Sequence, residues 1–174
     1  MYDILGALKS LFEEVHYMDF YRDIFPEGSF EERGEYEDGK YNGIAIAIEK
    51  GSKRAKRMTI TDDLDTIADM AGSKDFCLMS PISYAGKSRK SSNARFMYAL
   101  AIDLDGMTER KHWDFFMEQI NRGHEMLQFV WGLPRPTYLV SSGSGIHIYY
   151  VFKQPIPMFK NIVEELEKLK RRLT

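Results

Sequence analysis

The chain has 174 residues, with 24 Lys and Arg against 26 Asp and Glu, a formal net charge of −2. Apolar residues make up 44% and charged residues 29%, the proportions of an ordinary globular domain, which excludes collagen-like and wholly disordered chains. A single cysteine, Cys77, leaves no disulfide framework and no Cys-based zinc site. Apolar runs such as Phe129–Leu133 fall far short of the ~18 residues of a membrane span, and the N-terminus lacks a secretory leader. These features point to a cytoplasmic protein with no membrane partner.

The elements follow in chain order. Ile4, Leu5, Leu8, Leu11, Phe12 and Val15 recur at spacings of three and four, the mark of an amphipathic helix. A second helix over Tyr17–Ile24 ends at Pro26, and the acidic, glycine-bearing residues 26–40 read as an exposed connection. Tyr41–Ile48 and Arg57–Thr61 are strand candidates joined by a basic turn at Gly51-Ser52. Asp62-Asp63 caps a short helix through Met70, stopped by Gly72, and Phe76–Ile82 is another strand. The apolar run Phe96–Leu104 predicts a strand buried on both faces. Thr108 caps a helix whose Trp113, Phe116, Met117 and Ile120 share one face, with Gly123 as its stop. Tyr138–Val140 and Ile146–Phe152 form a hairpin about the turn at 141–145, and Pro155 and Pro157 end the second strand. A last amphipathic helix begins at Met158, with Phe159, Ile162, Val163, Leu166, Leu169 and Leu173 as its buried face. This order is α+β with a mixed or mostly antiparallel sheet. It divides into an N-terminal helical region with its acidic loop (1–40) and an α/β core (41–174).

Charge is unevenly spread. Residues 50–57 hold Lys50, Lys53, Arg54, Lys56 and Arg57 without an acid, and Lys87, Arg89, Lys90 and Arg95 cluster within an acid-free stretch from Phe76 to Ile102. Such runs either bind phosphate or are solvated loops. Gly86-Lys87-Ser88 has the tail of a phosphate-binding loop, but Pro81 stands where that signature needs its first glycine. What remains is a flexible basic loop entering the strand of Asp103, in which Lys87 and Arg89 are candidate nucleotide-binding residues.

Two constellations carry chemistry. Asp103-Leu104-Asp105-Gly106 places two carboxylates at alternate strand positions, on one face and roughly 6.5–7 Å apart at Cβ, where they can share a divalent cation. The bland reading is a pair of solvent-facing acids at a strand end. Ser142-Gly143-Ser144-Gly145-Ile146-His147 is a turn of small residues whose amides and hydroxyls can approach an anion, with a histidine directly after it to donate to phosphate. The bland reading there is a hairpin turn with a packed histidine. His16, His112 and His124 show no metal-ligand spacing, and Cys77 reads as a buried small hydrophobe.

Together these motifs resemble the archaeo-eukaryotic primase, or primase-polymerase, superfamily, in the form carried by plasmids and mobile elements. Asp103-Leu104-Asp105 is similar to that family's Asp-hydrophobic-Asp motif, and Ser142–His147 to its Ser-Gly-rich turn ending in histidine. Tyr149-Tyr150 and the flanks Pro136-Thr137-Tyr138 and Gln154-Pro155-Ile156 extend the likeness over about residues 75–157. The resemblance implies an RRM-like α+β fold and a DNA primase-type nucleotidyltransferase domain of a replication protein. Asp103 and Asp105 would hold Mg2+ or Mn2+, and Ser142, Gly143, Ser144, Gly145 and His147 would contact a nucleoside triphosphate. The implied partners are a DNA template or primer and a helicase, separate or fused. The family's third motif, a lone acid on a later strand, has no counterpart after His147, where Glu164, Glu165 and Glu167 all fall in the last helix. The expectation is therefore an incomplete or inactive catalytic portion. The alternatives are a haloacid-dehalogenase-like phosphatase using Asp103 and Asp105, and a non-catalytic nucleic-acid-binding module on the same fold.

Overall fold

The computed structural model describes residues 3–26, 42–49, 51, 54–61, 63–73, 76–86, 88–107, 109–125, 134–142 and 145–173. The order is α1 (Ile4–Leu11), α2 (Tyr17–Ile24), β1 (Asn42–Ile48), β2 (Ala55–Thr59), α3 (Asp65–Ala71), β3 (Phe76–Tyr84), β4 (Ala94–Leu104), α4 (Arg110–Glu125), β5 (Tyr138–Ser141), β6 (Ile146–Pro157) and α5 (Lys160–Leu173). The fold is α+β, with six strands hydrogen-bonded in the order β2-β1-β3-β4-β6-β5 into an antiparallel sheet with flanking helices. No described helix is long and apolar enough to cross a membrane. The chain forms two compact units, Met1–Val15 with Leu100–Val151, and His16–Ala99 with Phe152–Thr174, so β4 and β6 each contribute to both.

The first unit is built on a helix-facing side of its strands. Ile4 and Leu8 of α1, Trp113, Phe116 and Ile120 of α4, Ile146 and Ile148 of β6, and Met107 form one buried cluster, against which Ile102 and Leu104 of β4 also pack. Trp113 and Phe116 meet at 5.8 Å between ring centroids. Because strand side chains alternate, packing Ile102, Leu104, Ile146 and Ile148 inward sends Asp103 and His147 to the opposite face. Asp3 caps α1 by accepting from the amide of Gly6 at 2.9 Å. The helix ends at Leu11, before Val15, which is exposed.

In the second unit β1 is the strand buried on both faces. Ile44 and Ile46 join Tyr84 and Ala94 in one cluster with Ile48, Ile82 and Met158. At Gly43 a Cβ would meet the side chains of Ile60 at 3.0 Å and Phe25 at 3.2 Å, so the close approach of these two is made over a bare backbone. Phe25 in turn stands edge-on to Tyr98, 4.9 Å between centroids. β2 forms one rim of the sheet and is exposed at Ala55, Lys56 and Arg57.

Several boundaries differ from expectation. β4 is buried at Ala94 and at Met97, Tyr98 and Ala99; beyond Ala99 it alternates half-buried and exposed, because helices cover one face there and not the other. The start of α3 is capped by Asp63, whose carboxylate accepts from the amide of Asp65 at 3.1 Å, while Leu64 adopts a left-handed φ of 62°. Asp62 and the proposed cap Thr108 lie outside the described residues. α4 continues through Gly123 to Glu125, since a glycine in a helix is a cost of about 1 kcal/mol and not a stop. β6 runs through Pro155 to Pro157, proline being tolerated where a strand position leaves no amide to pair. Among the described side chains the apolar face expected for α5 is buried only in part: Phe159, just before the helix, is 67% and Leu169 42% exposed, and Ile162, Val163 and Leu166 are half-buried, while the side chain of Leu173 lies outside those described.

Candidate functional site

The site lies within the first unit, where the end of β4 meets the start of β6. The turn between β5 and β6 closes with the amide of Ser142 donating to the carbonyl of Gly145 at 3.1 Å. A Cβ on Gly145 would drive into the carbonyl oxygen of Leu104 and come within 3.1 Å of the Ser142 hydroxyl. Only a glycine lets this turn settle directly against the backbone between the two aspartates. That contact sets the register in which His147 Nε2 stands 3.3 Å from an Asp103 carboxylate oxygen. The two motifs thus meet through Asp103, the first residue of one, and His147, the last residue of the other.

Asp103 is largely exposed, 61% by side chain, and His147 is 29% exposed. Asp105 is exposed and follows the last residue of β4, after which Gly106 turns the chain at φ 75°. Beside them the buried Tyr149 has its phenol pushed above the ordinary tyrosine range, first by burial and then by the negative charge of Asp103. Tyr150 is raised by burial alone, and its hydroxyl donates to the carbonyl of Pro134 at 2.9 Å. Thr137 braces the same strand twice: its amide donates to the Tyr149 carbonyl at 2.8 Å, and its hydroxyl accepts from the Val151 amide at 3.0 Å.

The structure adds a residue that spacing alone does not reveal. His112, in the first turn of α4, holds Nδ1 2.9 Å from the carbonyl oxygen of Gly106. A protonated Nδ1 donating to this carbonyl leaves Nε2 directed away from the backbone. The bond ties the start of α4 to the turn that follows Asp105. Its sequence signal is faint, a histidine six residues beyond a glycine.

The other candidates stand elsewhere. Ser142 is exposed at the turn, whereas Gly143, Ser144 and Lys87 lie outside the described residues. Arg89 is exposed and belongs to the second unit. Its loop has more order than a floppy connection: Ala85 donates to the Asn93 carbonyl at 2.8 Å, and Ser91–Asn93 form a turn of 3-10 helix. Cys77 is half-buried, its thiol 3.8 Å from the Met70 carbonyl and 3.7 Å from the Ser73 hydroxyl.

Among the described residues no three His, Cys, Asp or Glu side chains converge as a metal cluster. Two exposed carboxylates separated by one residue do fit a hydrated magnesium-type ion, which commonly takes one or two carboxylates and completes its shell with water and substrate phosphate. The chain matches no protein-family model, no curated protein and no solved structure.

Proposed function

We propose that this unit is a primase-polymerase-like nucleotide-binding site, in which Asp103 and Asp105 hold a divalent metal ion and the turn at 142–147 holds the phosphates of a nucleoside triphosphate. The observation that carries this reading is the 3.3 Å approach of His147 to Asp103, at a glycine turn seated on the backbone between the two acids. A bound magnesium or manganese ion would supply charge neutralisation for a phosphoryl-transfer reaction. The chain's own contributions follow from its geometry. Asp103 and Asp105 present negative charge at an open strand end, where a hydrated cation can reach them. His147 is held within reach of an Asp103 oxygen and, protonated, can donate to a phosphate at the same place. The Ser142 hydroxyl offers a further donor at the turn. His112 fixes the backbone just after Asp105 and so limits where that carboxylate can go.

That no three His, Cys, Asp or Glu side chains converge among the described residues favours a second reading, a nucleotide-binding module without polymerase activity. Calorimetric titration of a non-hydrolysable deoxynucleoside triphosphate with manganese tests the shared core of both. Binding is expected in the wild-type chain and absent in Asp103→Asn and Asp105→Asn. His147→Ala is expected to weaken triphosphate far more than nucleoside, and equal losses would remove the phosphate role. Primer extension by the same protein separates an enzyme from a binding module. Metal-independent binding that ignores both aspartates would overturn the proposal.

A further inference from the structure

In the second unit the basic loop after β3 is drawn to the segment that links β6 to α5. Ser83 and Tyr84 of β3 are consecutive, yet they pair with Phe96 and Ala94, so Arg95 is the extra residue of a β-bulge. Such a bulge re-aims the residue it adds. The Arg95 carbonyl accepts from the Met158 amide at 2.7 Å, while Met158 packs on the cluster that holds Tyr84 and Ala94. The guanidinium folds back over the bend, its Nη1 donating to the carbonyls of Ser92 at 3.1 Å and Ala94 at 3.0 Å. Directly after Met158 come Phe159, 67% exposed, and Lys160, also exposed, which opens α5. On the other side of Arg95 the turn at Ser91–Asn93 is closed by the Asn93 amide donating to the Lys90 carbonyl at 2.8 Å. Arg89 and Lys90, at its start, are both exposed.

The surroundings do not neutralise this charge. The sequence has no Asp or Glu from 76 to 102 or from 126 to 163, and the first turn of α5 has none. Among the described residues no carboxylate pairs with Arg89, Lys90 or Lys160, whereas Lys9, Arg110, Lys111 and Lys168 each stand 2.6–3.6 Å from one. Unneutralised cations carry a positive potential into solvent and draw in anions. Their spread over two exposed segments suits a string of phosphates more than a single phosphate group. Phe159 adds a bare aromatic face, on which an unpaired base can stack. A membrane surface would call for a broad apolar stripe, but Ile162, Val163 and Leu166 beyond Phe159 are half-buried.

We infer that Arg89, Lys90, Arg95, Phe159 and Lys160 form a binding surface for single-stranded nucleic acid, with the cations on successive phosphates and Phe159 against a base. All five belong to the second unit and none is shared with the site of Asp103, so the inference does not rest on the nucleotide-binding proposal.

Fluorescence anisotropy of a labelled oligodeoxythymidylate about 12 nucleotides long, titrated with the full chain in EDTA at several salt concentrations, tests this without a divalent ion. Salt-sensitive binding is expected, with a log–log slope of about −3 for four phosphate contacts at about −0.7 each. Arg89→Gln, Lys90→Gln and Lys160→Gln together, all at exposed positions and so compatible with folding, are expected to flatten that slope by about 2. Phe159→Ala is expected to weaken binding by about 5- to 100-fold with the slope unchanged, and Phe159→Trp to retain it. Lys56→Gln, the same charge change on β2, is expected to alter neither quantity. Asp103→Asn, which disables the proposed metal site, is expected to leave oligonucleotide binding intact, so the two proposals fail separately. A chain that binds no oligonucleotide at about 100 µM overturns the inference, and its co-sedimentation with anionic lipid vesicles would then assign the surface to a membrane. Lys56→Gln costing as much as Lys160→Gln overturns it too, and binding indifferent to Phe159→Ala, or equally tight to duplex, overturns the single-strand assignment.

Discussion

Gly145→Ala isolates the contact on which the candidate site rests. The added methyl would enter the space of the Leu104 carbonyl oxygen, well inside the 3.0 Å that real Cβ contacts essentially never undercut. Its second neighbour, the Ser142 hydroxyl at 3.1 Å, can rotate away, but the Leu104 oxygen is backbone in the middle of a strand ending and cannot. The turn or the end of β4 must shift, an overpacking cost of about 1–3 kcal/mol. For a chain of this size that lowers the melting temperature by about 2–10 °C. Gly72→Ala provides the control. Gly72 closes α3 at φ −77° and ψ −12°, and its nearest contact would be the Asp69 carbonyl at 3.7 Å, so alanine fits and should stabilise by about 0.4–1 kcal/mol through the unfolded chain. Urea unfolding followed by near-ultraviolet circular dichroism measures both. The same chemical change is thus expected to act with opposite signs at two positions. A Gly145→Ala protein as stable as the wild type, or one rescued fully by Ser142→Ala, would refute the backbone contact as the cause.

Three further outcomes are expected. The Ser83 hydroxyl is fully buried and finds no hydrogen-bond partner among the described residues, so Ser83→Ala should raise stability by about 1 kcal/mol in the same denaturant assay. Tyr149 has a folded pKa above its unfolded value near 10, so its contribution is intact below about pH 10 and is lost as pH climbs toward the folded value. Phenolate absorbance titration of Asp103→Asn should show the Tyr149 midpoint falling while staying above the ordinary range, because burial is the larger cause. Asp63, held below its usual carboxylate value first by the Thr61 hydroxyl and then by the Asp65 amide, stabilises above pH 3.8 and loses that contribution as pH falls through its folded pKa. Thr61→Val should therefore move the Asp63 midpoint up toward 3.8, as read by carbon-detected NMR.

Local rules made most elements legible. The Tyr17–Ile24 helix and the hairpin about 141–145 follow from periodicity and from turn residues, both properties of short sequence windows. That Asp103 and His147 stand together follows from no local rule: strand alternation fixes the face each occupies, but only the sheet shows that β4 and β6 lie side by side. Burial was not legible either. The apolar run of β4 and the short, alanine-bearing β1 differ less in composition than in what packs on them, and β1 proves the doubly covered strand. Prolines at 155 and 157 look like breaks in the sequence because the rule against them in strands concerns unpaired amides, and only the ladder tells which amides need pairing. The tie made by His112 is not written in its spacing, because its partner is a backbone carbonyl, which leaves no mark in residue types.

The rim position of β2 gives its basic residues Lys56 and Arg57 a consequence of their own. An outermost strand offers unpaired amides and carbonyls to any passing extended segment, including a second β2. Lys56 and Arg57 stand exposed along that rim and meet such a segment with like charge and a desolvation cost. They act as gatekeepers of colloidal behaviour, whatever ligand the chain takes. Replacing both with threonine would leave the native sheet intact yet turn its border into a template for fibrous growth, detectable as a shortened lag in thioflavin fluorescence.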